Sequence, residues 1–257
     1  MPGEVSAPRL ETAPELPGWV SLVRAANPGP MTLDGTNSWL LATPGGRTVL
    51  VDPGPADEAH LATLAARRPS LILVTHHHPD HVEGLPRLKE LLGTPVVEVW
   101  DRVEETRSLD GLDISLLATP GHTSDSVCFR VEAAGQRVVL TGDTILGRGT
   151  TIVDGDLGDY LRSLRRLEGL GAVPVLPGHG PALADCAAAA RAYREHREAR
   201  LDQVRDALAG GARTAREIVE IVYAEVDPAV RPAAEATVTA QLAYLESSGG
   251  GVRWDTP

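Results

Sequence analysis

A run of histidines follows a short apolar segment in the first half of the chain, and its residue types are those that bind metal ions. The apolar residues LILV at 71–74 lead through one threonine into HHHPDH at 76–81. His76 and His78 are two residues apart, so a locally extended backbone turns both imidazoles to the same side, where they can share one divalent cation. The intervening His77 is expected to point elsewhere and to pack beside or support the ligands.

Further candidate ligands are needed, because two histidines leave a divalent cation short of a normal shell. Asp80 and His81, beyond the proline of the same loop, can face a second ion. Three more candidates each follow an apolar segment and stand beside glycine, which lets the backbone turn sharply: His122 in TPGHT, Asp143 in TGD and His179 in PGHG. Any one alone is better explained by local hydrogen bonds, but their recurrence at four successive strand ends predicts a two-metal site. A closed structural zinc site is disfavoured, since none of the candidates is cysteine.

Two adjacent divalent cations would make this site hydrolytic. Coordination lowers the pKa of water from about 15.7 to about 7, so the sequence predicts a metal-bridging hydroxide as nucleophile, with Asp80 orienting or deprotonating the water. Imidazole and carboxylate ligands suit two Zn²⁺ ions best, and Mn²⁺ or Fe²⁺ also fits. A binding protein that retains metal without turnover is the alternative from another class, although binding alone gives no reason for an open two-metal cleft.

The remaining histidines and the cysteines carry no comparable pattern. Five of the eight histidines are assigned above as ligands. His60 and His196, like His77, are expected at the surface or beside the ligands. Cys128 and Cys186 lack the spacing of a thiolate metal site and are predicted to be buried structural thiols.

Composition and charge limit the partners. With 24 basic and 35 acidic residues, the formal net charge is −11, which gives no overall attraction to nucleic acid or an anionic membrane. No apolar run approaches the roughly 18 residues that cross a bilayer, and residues 1–20 lack the basic-then-apolar order of a secretory signal. We expect a cytoplasmic protein that does not associate with membranes.

Short apolar segments alternate with helical patterns through residue 180, which predicts a mixed α/β domain over residues 1–181. Segments rich in Val, Ile and Leu predict strands at 19–25, 37–42, 47–52, 71–75, 94–99, 112–118, 126–132, 136–142 and 172–176. Hydrophobic residues at helical spacing predict helices at 57–68, 83–92 and 157–168. In this arrangement the candidate ligands sit on loops at the ends of strands, exposed yet held by a sheet.

The pattern becomes almost purely helical in residues 182–257. A long helix is predicted at 182–209, a second at 214–224 opened by a Thr214–Glu217 capping box, and a third at 227–248, before GGGVRW forms a turn and strand. Three helices and a terminal strand are typical of a winged-helix-like module, although helical hairpins without wings share the pattern.

The ordered motifs HxHxDH, GH, GD and GH resemble those of the metallo-β-lactamase superfamily, over roughly residues 17–181. The resemblance implies an αββα sandwich. It also implies ligand roles: His76, His78 and His122 at the first metal, Asp80, His81 and His179 at the second, and Asp143 as the bridging carboxylate. Asp52, in VDPG, resembles an early aspartate of the family that supports the metal site without binding metal.

Within the superfamily the chain is most similar to the β-lactamase-like protein 2 group. The segments GTN at 35–37 and GDTILGRGTT at 142–151, together with PGHGP and the long helix after it, carry this resemblance. It implies a single-strand-selective endoribonuclease, with single-stranded RNA as partner. A glyoxalase II-like thioesterase or lactonase acting on small acyl substrates is the alternative.

Substrate contacts are predicted from their position beside the ligands. Arg148, Thr150 and Thr151 follow Asp143, and Asn37 is a further candidate; an ordinary turn role is equally compatible with each. Arginines in and after the long helix could follow a phosphate backbone: Arg191, Arg194, Arg197, Arg200, Arg205 and Arg213. Interleaved acidic residues favour a solvated helix face with ion pairs between successive turns instead.

Overall fold

Two β-sheets form the centre of the molecule. The computed structural model describes residues 7–13, 15–93, 105–224, 226–248 and 254. The first sheet contains β1 (Val20–Arg24), β2 (Asn37–Ala42), β3 (Thr48–Val51) and β4 (Leu71–Leu73) in that order. The second contains β5 (Thr106–Leu109), β6 (Leu112–Ala118), β7 (Val127–Ala133), β8 (Gln136–Gly142) and β9 (Val175–Pro177), also in order.

Strand direction determines which loops meet. Neighbouring strands are antiparallel except for β3 with β4 and β8 with β9, which are parallel. Since β6 and β8 are both antiparallel to β7, and β9 is parallel to β8, the carboxyl ends of β6, β8 and β9 meet at one edge of the second sheet. Three of the predicted ligands follow these three ends.

Helices cover both outer faces and complete the predicted αββα sandwich. Trp39 and Leu73 from the first sheet pack with Leu116 and Phe129 from the second in one buried cluster. The first sheet packs against α1 (Glu58–Ala66) and α3 (Leu85–Leu92), and the short helix α2 (Pro79–Val82) lies between β4 and α3 in the chain. On the outer face of the second sheet lies α4 (Leu157–Glu168). It buries the apolar stripe that its spacing predicts, which includes Tyr160 and Leu164.

The C-terminal helices join the same core. They are α5 (Cys186–Ala209), α6 (Ala215–Val222), a 3₁₀ turn (Pro228–Val230) and α7 (Arg231–Ser247). Leu201 of α5, Ile218 of α6 and Leu242 of α7 pack in one cluster with Leu164 of α4. The predicted boundary between residues 181 and 182 therefore lies within a continuous apolar core. The Thr214–Glu217 capping box is present as predicted.

Some predicted elements differ from the structure. The predicted helix at 83–92 is preceded by a separate turn of helix at 79–82, with Gly84 between the two. Strand β5 was not predicted, because three of its four residues are exposed and polar. The strand predicted at 94–99 and nearly all of the turn and strand predicted from residue 249 lie outside the described residues. Cys128 and Cys186 are buried thiols, as predicted. Among the described helices, none is long and apolar enough to cross a bilayer.

Replacing Leu242 by alanine tests whether the C-terminal helices unfold with the sandwich. Leu242 is fully buried in the shared cluster, so Leu242→Ala is expected to lower the free energy of unfolding by about 2–5 kcal/mol. Chemical denaturation followed by circular dichroism should show one transition shifted as a whole. Ile221→Ala, at an exposed position of α6, is the control and should change little. Two separate transitions, of which only one moves, would contradict the shared core.

Candidate metal centre

The structure brings all seven predicted ligands together at one end of the sandwich. His76 and His78 follow β4, and His78 caps α2, whose first turn contains Asp80 and His81. His122, Asp143 and His179 follow β6, β8 and β9, respectively. A backbone hydrogen bond of 2.9 Å from Val127 to Thr75 joins the two sheets beside this loop.

The ligand atoms form two neighbouring groups. In the first, His78 Nδ1 lies 3.1 Å from both His76 Nε2 and His122 Nε2. In the second, Asp80 Oδ2 lies 3.4 Å from His81 Nε2 and 3.2 Å from His179 Nε2. Each group brings its nitrogen and oxygen atoms close enough to surround one ion.

Asp143 lies between the two groups. Its Oδ2 is 3.3 Å from His179 Nε2 and 3.8 Å from His122 Nε2, so one carboxylate oxygen faces a ring from each group. Its Oδ1 is 3.5 Å from His81 Nε2 and is buried without a hydrogen-bond partner. A buried carboxylate oxygen without a donor is costly, and this position is suited to a cation shared between the groups.

In three of the ligand histidines, a hydrogen bond at Nδ1 fixes the direction in which the lone pair of Nε2 faces. His81 Nδ1 lies 2.9 Å from Asp52 Oδ2, His122 Nδ1 lies 2.7 Å from the carbonyl of Ile152, and His179 Nδ1 lies 3.3 Å from the carbonyl of Gly35. These oxygens accept hydrogen bonds, so in a neutral ring the proton stays on Nδ1 and the lone pair of Nε2 points inward.

Inward-facing lone pairs repel one another unless a positive charge lies between them. The donor set of imidazole nitrogens and carboxylate oxygens fits a divalent cation such as Zn²⁺, Mn²⁺ or Fe²⁺. Space is kept for it by Gly178, because an added Cβ would collide with Asp143 Oδ1 and lie 2.7 Å from His81 Cε1. The residues present therefore fit a two-metal centre.

Burial keeps part of the cluster neutral. Burial and the neighbouring His81 lower the pKa of His76 to about 2, and burial also lowers the pKa of His78. Both rings are therefore unprotonated at neutral pH. A neutral imidazole is the form that binds metal.

The carboxylates and their histidine partners are charged in the metal-free protein. Burial opposes ionisation of Asp80 and Asp143, but His179 and His81 lower the pKa of Asp80 to about 2 and hold that of Asp143 well below its ordinary range. Burial likewise opposes the charged form of His81 and His179. The neighbouring carboxylates outweigh this effect of burial. They raise the pKa of His81 well above its ordinary value and that of His179 to about 9.

Asp52 supports the centre from beneath. Besides His81, it accepts hydrogen bonds of 2.8 Å from the Thr75 amide and the Thr75 hydroxyl. Its φ of 56° is left-handed, a conformation that Asp and Asn adopt more readily than most residues. His60 extends this support, because Ser38 contacts the His60 ring at 3.0 Å and donates to the Asp52 carbonyl.

Asn37 has a different place from the one predicted. It is buried, and its amide donates to the carbonyls of Pro177 and Gly180 at 3.0 and 2.9 Å. Through these two hydrogen bonds it holds the loop that carries His179. The neighbouring Thr36 was not predicted as a site residue. Its hydroxyl lies 3.0 Å from Asp80 Oδ2. Thr36 stands in the GTN segment, which was the available signal.

The remaining histidines are not in the ligand groups. His77 points away, as predicted, with Nδ1 2.7 Å from Asp125 Oδ1. His60 and His196 are both buried, so the surface part of their expected placement is wrong. Each belongs to a helix, α1 or α5, whose inner face packs onto a sheet or a neighbouring helix.

A cleft of about 530 Å³ opens onto the two ligand groups. Arg148, Thr150 and Thr151, the predicted substrate contacts, are among its lining residues. Most of the other lining residues are apolar and include residues of the C-terminal helices and their connection: Met31, Leu33, Leu146, Ile152, Tyr223, Val226, Val230, Ala233, Ala234 and Ala236.

Family models match most of this architecture. Residues 31–107 and 98–179 match the metallo-beta-lactamase superfamily, and residues 214–250 match the beta-lactamase associated winged helix domain. The chain belongs to the metallo-β-lactamase superfamily, and it is a hydrolase of that superfamily with a C-terminal winged-helix domain.

Individual relatives extend the likeness over nearly the whole chain. A beta-lactamase-like protein 2 homolog of Caenorhabditis elegans is 33% identical and covers 95% of this chain and 90% of its own. An atrochrysone carboxyl ACP thioesterase of Aspergillus fumigatus is also 33% identical, covering 85% of this chain and 78% of its own. The crystal structure of a metallo-beta-lactamase family protein from Thermus thermophilus superimposes with a TM-score of 0.70 at 25% identity, covering 90% of this chain and 94% of that one.

Removing the charge of Asp52 tests how far it supports the metals. Asp52→Asn keeps the left-handed backbone accessible but removes the carboxylate that accepts from His81, so the affinity for Zn²⁺ should fall by about 10- to 100-fold. Competition against a chromophoric chelator measures this affinity. Asp113→Asn, at an exposed position of β6, is the control. An unchanged affinity in Asp52→Asn would show that the carboxylate does not orient His81.

Metal binding should release protons in a pH-dependent way. At pH 7 the metal-free protein holds protons on His81 and His179, whose pKa values are raised, and a metal must displace them. Calorimetry in buffers of different ionisation enthalpy should give about two protons released per chain when Zn²⁺ binds at pH 7. Because these protons compete with the metal, Zn²⁺ affinity should rise with pH above 7, through the pKa of His179 of about 9. Binding without proton release would contradict this electrostatic arrangement.

Proposed function

We propose that the chain hydrolyses thioesters of small acyl substrates. The observation that carries this proposal is the apolar wall of the cleft directly over the ligand groups. Apolar side chains bind an acyl chain by removing it from water. The relative named as an ACP thioesterase supports the same choice.

The cations near the cleft are poorly placed for a nucleic acid backbone. Among the described residues that line the cleft, the cationic ones besides histidine are Arg148 and Arg197. Arg148 pairs with Asp34 through two hydrogen bonds at the mouth of the cleft. A phosphate backbone would need several available cations, so the cleft favours the acyl substrate.

The arginines of the long helix are also engaged. Arg191 pairs with Glu168, Arg194 with Glu198, and Arg205 with Asp202. Arg200 donates to the carbonyl of Val222, and Arg213 to those of Leu208 and Ala212. These contacts agree with a solvated helix face that carries ion pairs. Single-stranded RNA stays a prediction of the resemblance.

The chain's own residues supply orientation and proton transfer. When bound, the cation pair would lower the pKa of water and polarise the acyl oxygen. Asp80 lines the cleft as a carboxylate, and its Oδ2 is held by the Thr36 hydroxyl. It can accept a proton from the attacking water. As the water oxygen bonds to the acyl carbon, the carbon–sulfur bond breaks, and Asp80 can return the proton to the departing thiolate.

A direct assay compares an acyl thioester of N-acetylcysteamine, a single-stranded RNA oligonucleotide and a β-lactam, each with the Zn²⁺-loaded protein. We expect cleavage of the thioester, and Asp80→Asn should lower kcat by about 10²–10⁴-fold. His77→Ala, in the same loop but outside both ligand groups, is the control and should retain activity. Metal content is measured in each variant, so that loss of an ion is separated from loss of proton transfer.

The outcomes distinguish the substrates. RNA cleavage that weakens steeply with salt, without thioester cleavage, would overturn the proposal in favour of the nuclease. Zn²⁺ binding without turnover of any of the three substrates would favour a metal-retaining binding protein.

A further inference from the structure

Arg197 is a charged side chain buried in the wall of the cleft. It lies on the inner face of α5, four residues from both Tyr193 and Leu201, and it is only 2% exposed. It nevertheless belongs to the residues that line the cleft. Two other arginines of the same helix, Arg191 and Arg194, pair instead with carboxylates.

The contacts of Arg197 leave its charge uncompensated. Its Nη2 donates to the carbonyl of Thr151, and its guanidinium lies 5.8 Å from the centre of the Tyr160 ring. Its Nε is buried without a hydrogen-bond partner, and within the described part of the chain no ion pair joins it to a carboxylate. A guanidinium has five N–H donors. The Thr151 carbonyl and the Tyr160 hydroxyl interact with this one, and neither partner carries a negative charge.

A structural role alone does not account for a charge at this position. Burying an unpaired cation is expensive, whereas a neutral donor could satisfy a single carbonyl at lower cost. Arg200, one turn further along α5, adds positive charge nearby, with its guanidinium 4.7 Å from the centre of the Tyr223 ring. Tyr223 itself lines the cleft. Arg197 and Arg200 thus place two guanidinium groups near this wall of the cleft, in a protein that is acidic overall.

Arg197 is linked to the metal ligands through a single residue, Thr151. Thr151, whose carbonyl accepts from Arg197, also places its hydroxyl 3.2 Å from His122 Nδ1. The guanidinium is therefore separated from the first ligand group by one residue of the cleft wall. Arg197 and His122 both line the same cleft.

We propose that Arg197 forms an anion subsite that binds a carboxylate at the far end of the acyl group, so that the preferred substrates are thioesters of short dicarboxylic acids. This inference rests on the proposed thioesterase function. Bidentate hydrogen bonds from a guanidinium to a carboxylate are strong and directional. The carboxylate would supply the missing counter-charge in a site shielded from water.

The test uses two substrates that differ in one charge. The N-acetylcysteamine monothioester of glutaric acid and the thioester of pentanoic acid have acyl chains of equal length. Wild-type protein should prefer the glutaryl compound by about 10- to 100-fold in kcat/KM, the range expected for hydrogen bonds to a charged group. Arg197→Met should abolish the preference, mainly by raising KM for the glutaryl compound. Any effect through the Thr151 carbonyl should lower both reactions by the same factor, so the ratio of the two kcat/KM values is the readout.

Two further variants separate recognition from folding. Arg194→Met, one turn earlier on α5, where the side chain pairs with Glu168 and Glu198, is the matched control and should keep the preference. Arg197→Lys retains the charge without the paired donors and should keep part of it; this variant also serves if Arg197→Met does not fold. Equal losses for both substrates in the Arg197 variants, together with weaker Zn²⁺ binding, would show that Arg197 only positions Thr151 and His122, and would overturn the subsite.

A binding measurement keeps this inference distinct from the proposed function. Calorimetry with free glutarate and pentanoate on the Zn²⁺-loaded protein should show tighter glutarate binding in wild type and equal binding in Arg197→Met. This pattern without thioester cleavage would support the subsite and reject the thioesterase. Equal binding of both acids by wild type would overturn the subsite, whatever the enzyme hydrolyses.

Discussion

A single constraint underlies the architecture of this protein: the nitrogen and oxygen atoms of the seven ligand side chains are held close together in a small volume. Five imidazoles and two carboxylates direct nitrogen and oxygen atoms toward one another at 3.1–3.8 Å. Carbonyls and the Asp52 carboxylate hold the outer nitrogens of His81, His122 and His179, which prevents these rings from turning to avoid the contact. Such an arrangement needs positive charge. Protons on His81 and His179 supply it in the metal-free protein, and divalent cations would replace them.

The sandwich makes this convergence possible because its strands end together. The carboxyl ends of β6, β8 and β9 meet at one edge, and the loop after β4 reaches the same place from the other sheet. Glycines allow the close approach. At Gly121, with φ of 142°, an added Cβ would collide with Tyr160 of α4. The C-terminal helices contribute the apolar wall above the metals, so the winged-helix domain is part of the cleft.

The sequence predicted the parts of this site that depend on local pattern. Ligands such as His122 and His179 stand directly after apolar strands and beside glycine, and the structure brings them together. Long-range burial was harder to predict. Asn37 looked like a substrate contact, but its amide is used up by two carbonyls about 140 residues further along the chain. Nothing local to Asn37 specifies those partners.

The burial of Arg197 was also not predicted from the sequence. In this case a residue expected on the solvated face of the helix lines the cleft. The abundance of arginine and acid in α5 favoured a solvated face, and this interpretation suits Arg191 and Arg205. Arg197 instead shares its helical face with Tyr193 and Leu201, both buried. The spacing of four residues was a usable signal. The composition of the helix hid this signal, because one buried arginine among several more exposed ones does not change the average charge of the helix.

Anomalous X-ray diffraction at the zinc absorption edge, on crystals of the Zn²⁺-loaded protein, tests the central claim most directly. We predict two anomalous peaks per chain, one among His76, His78 and His122 and the other among Asp80, His81 and His179, with Asp143 contacting both. A single peak, or peaks away from these side chains, would contradict a two-metal centre.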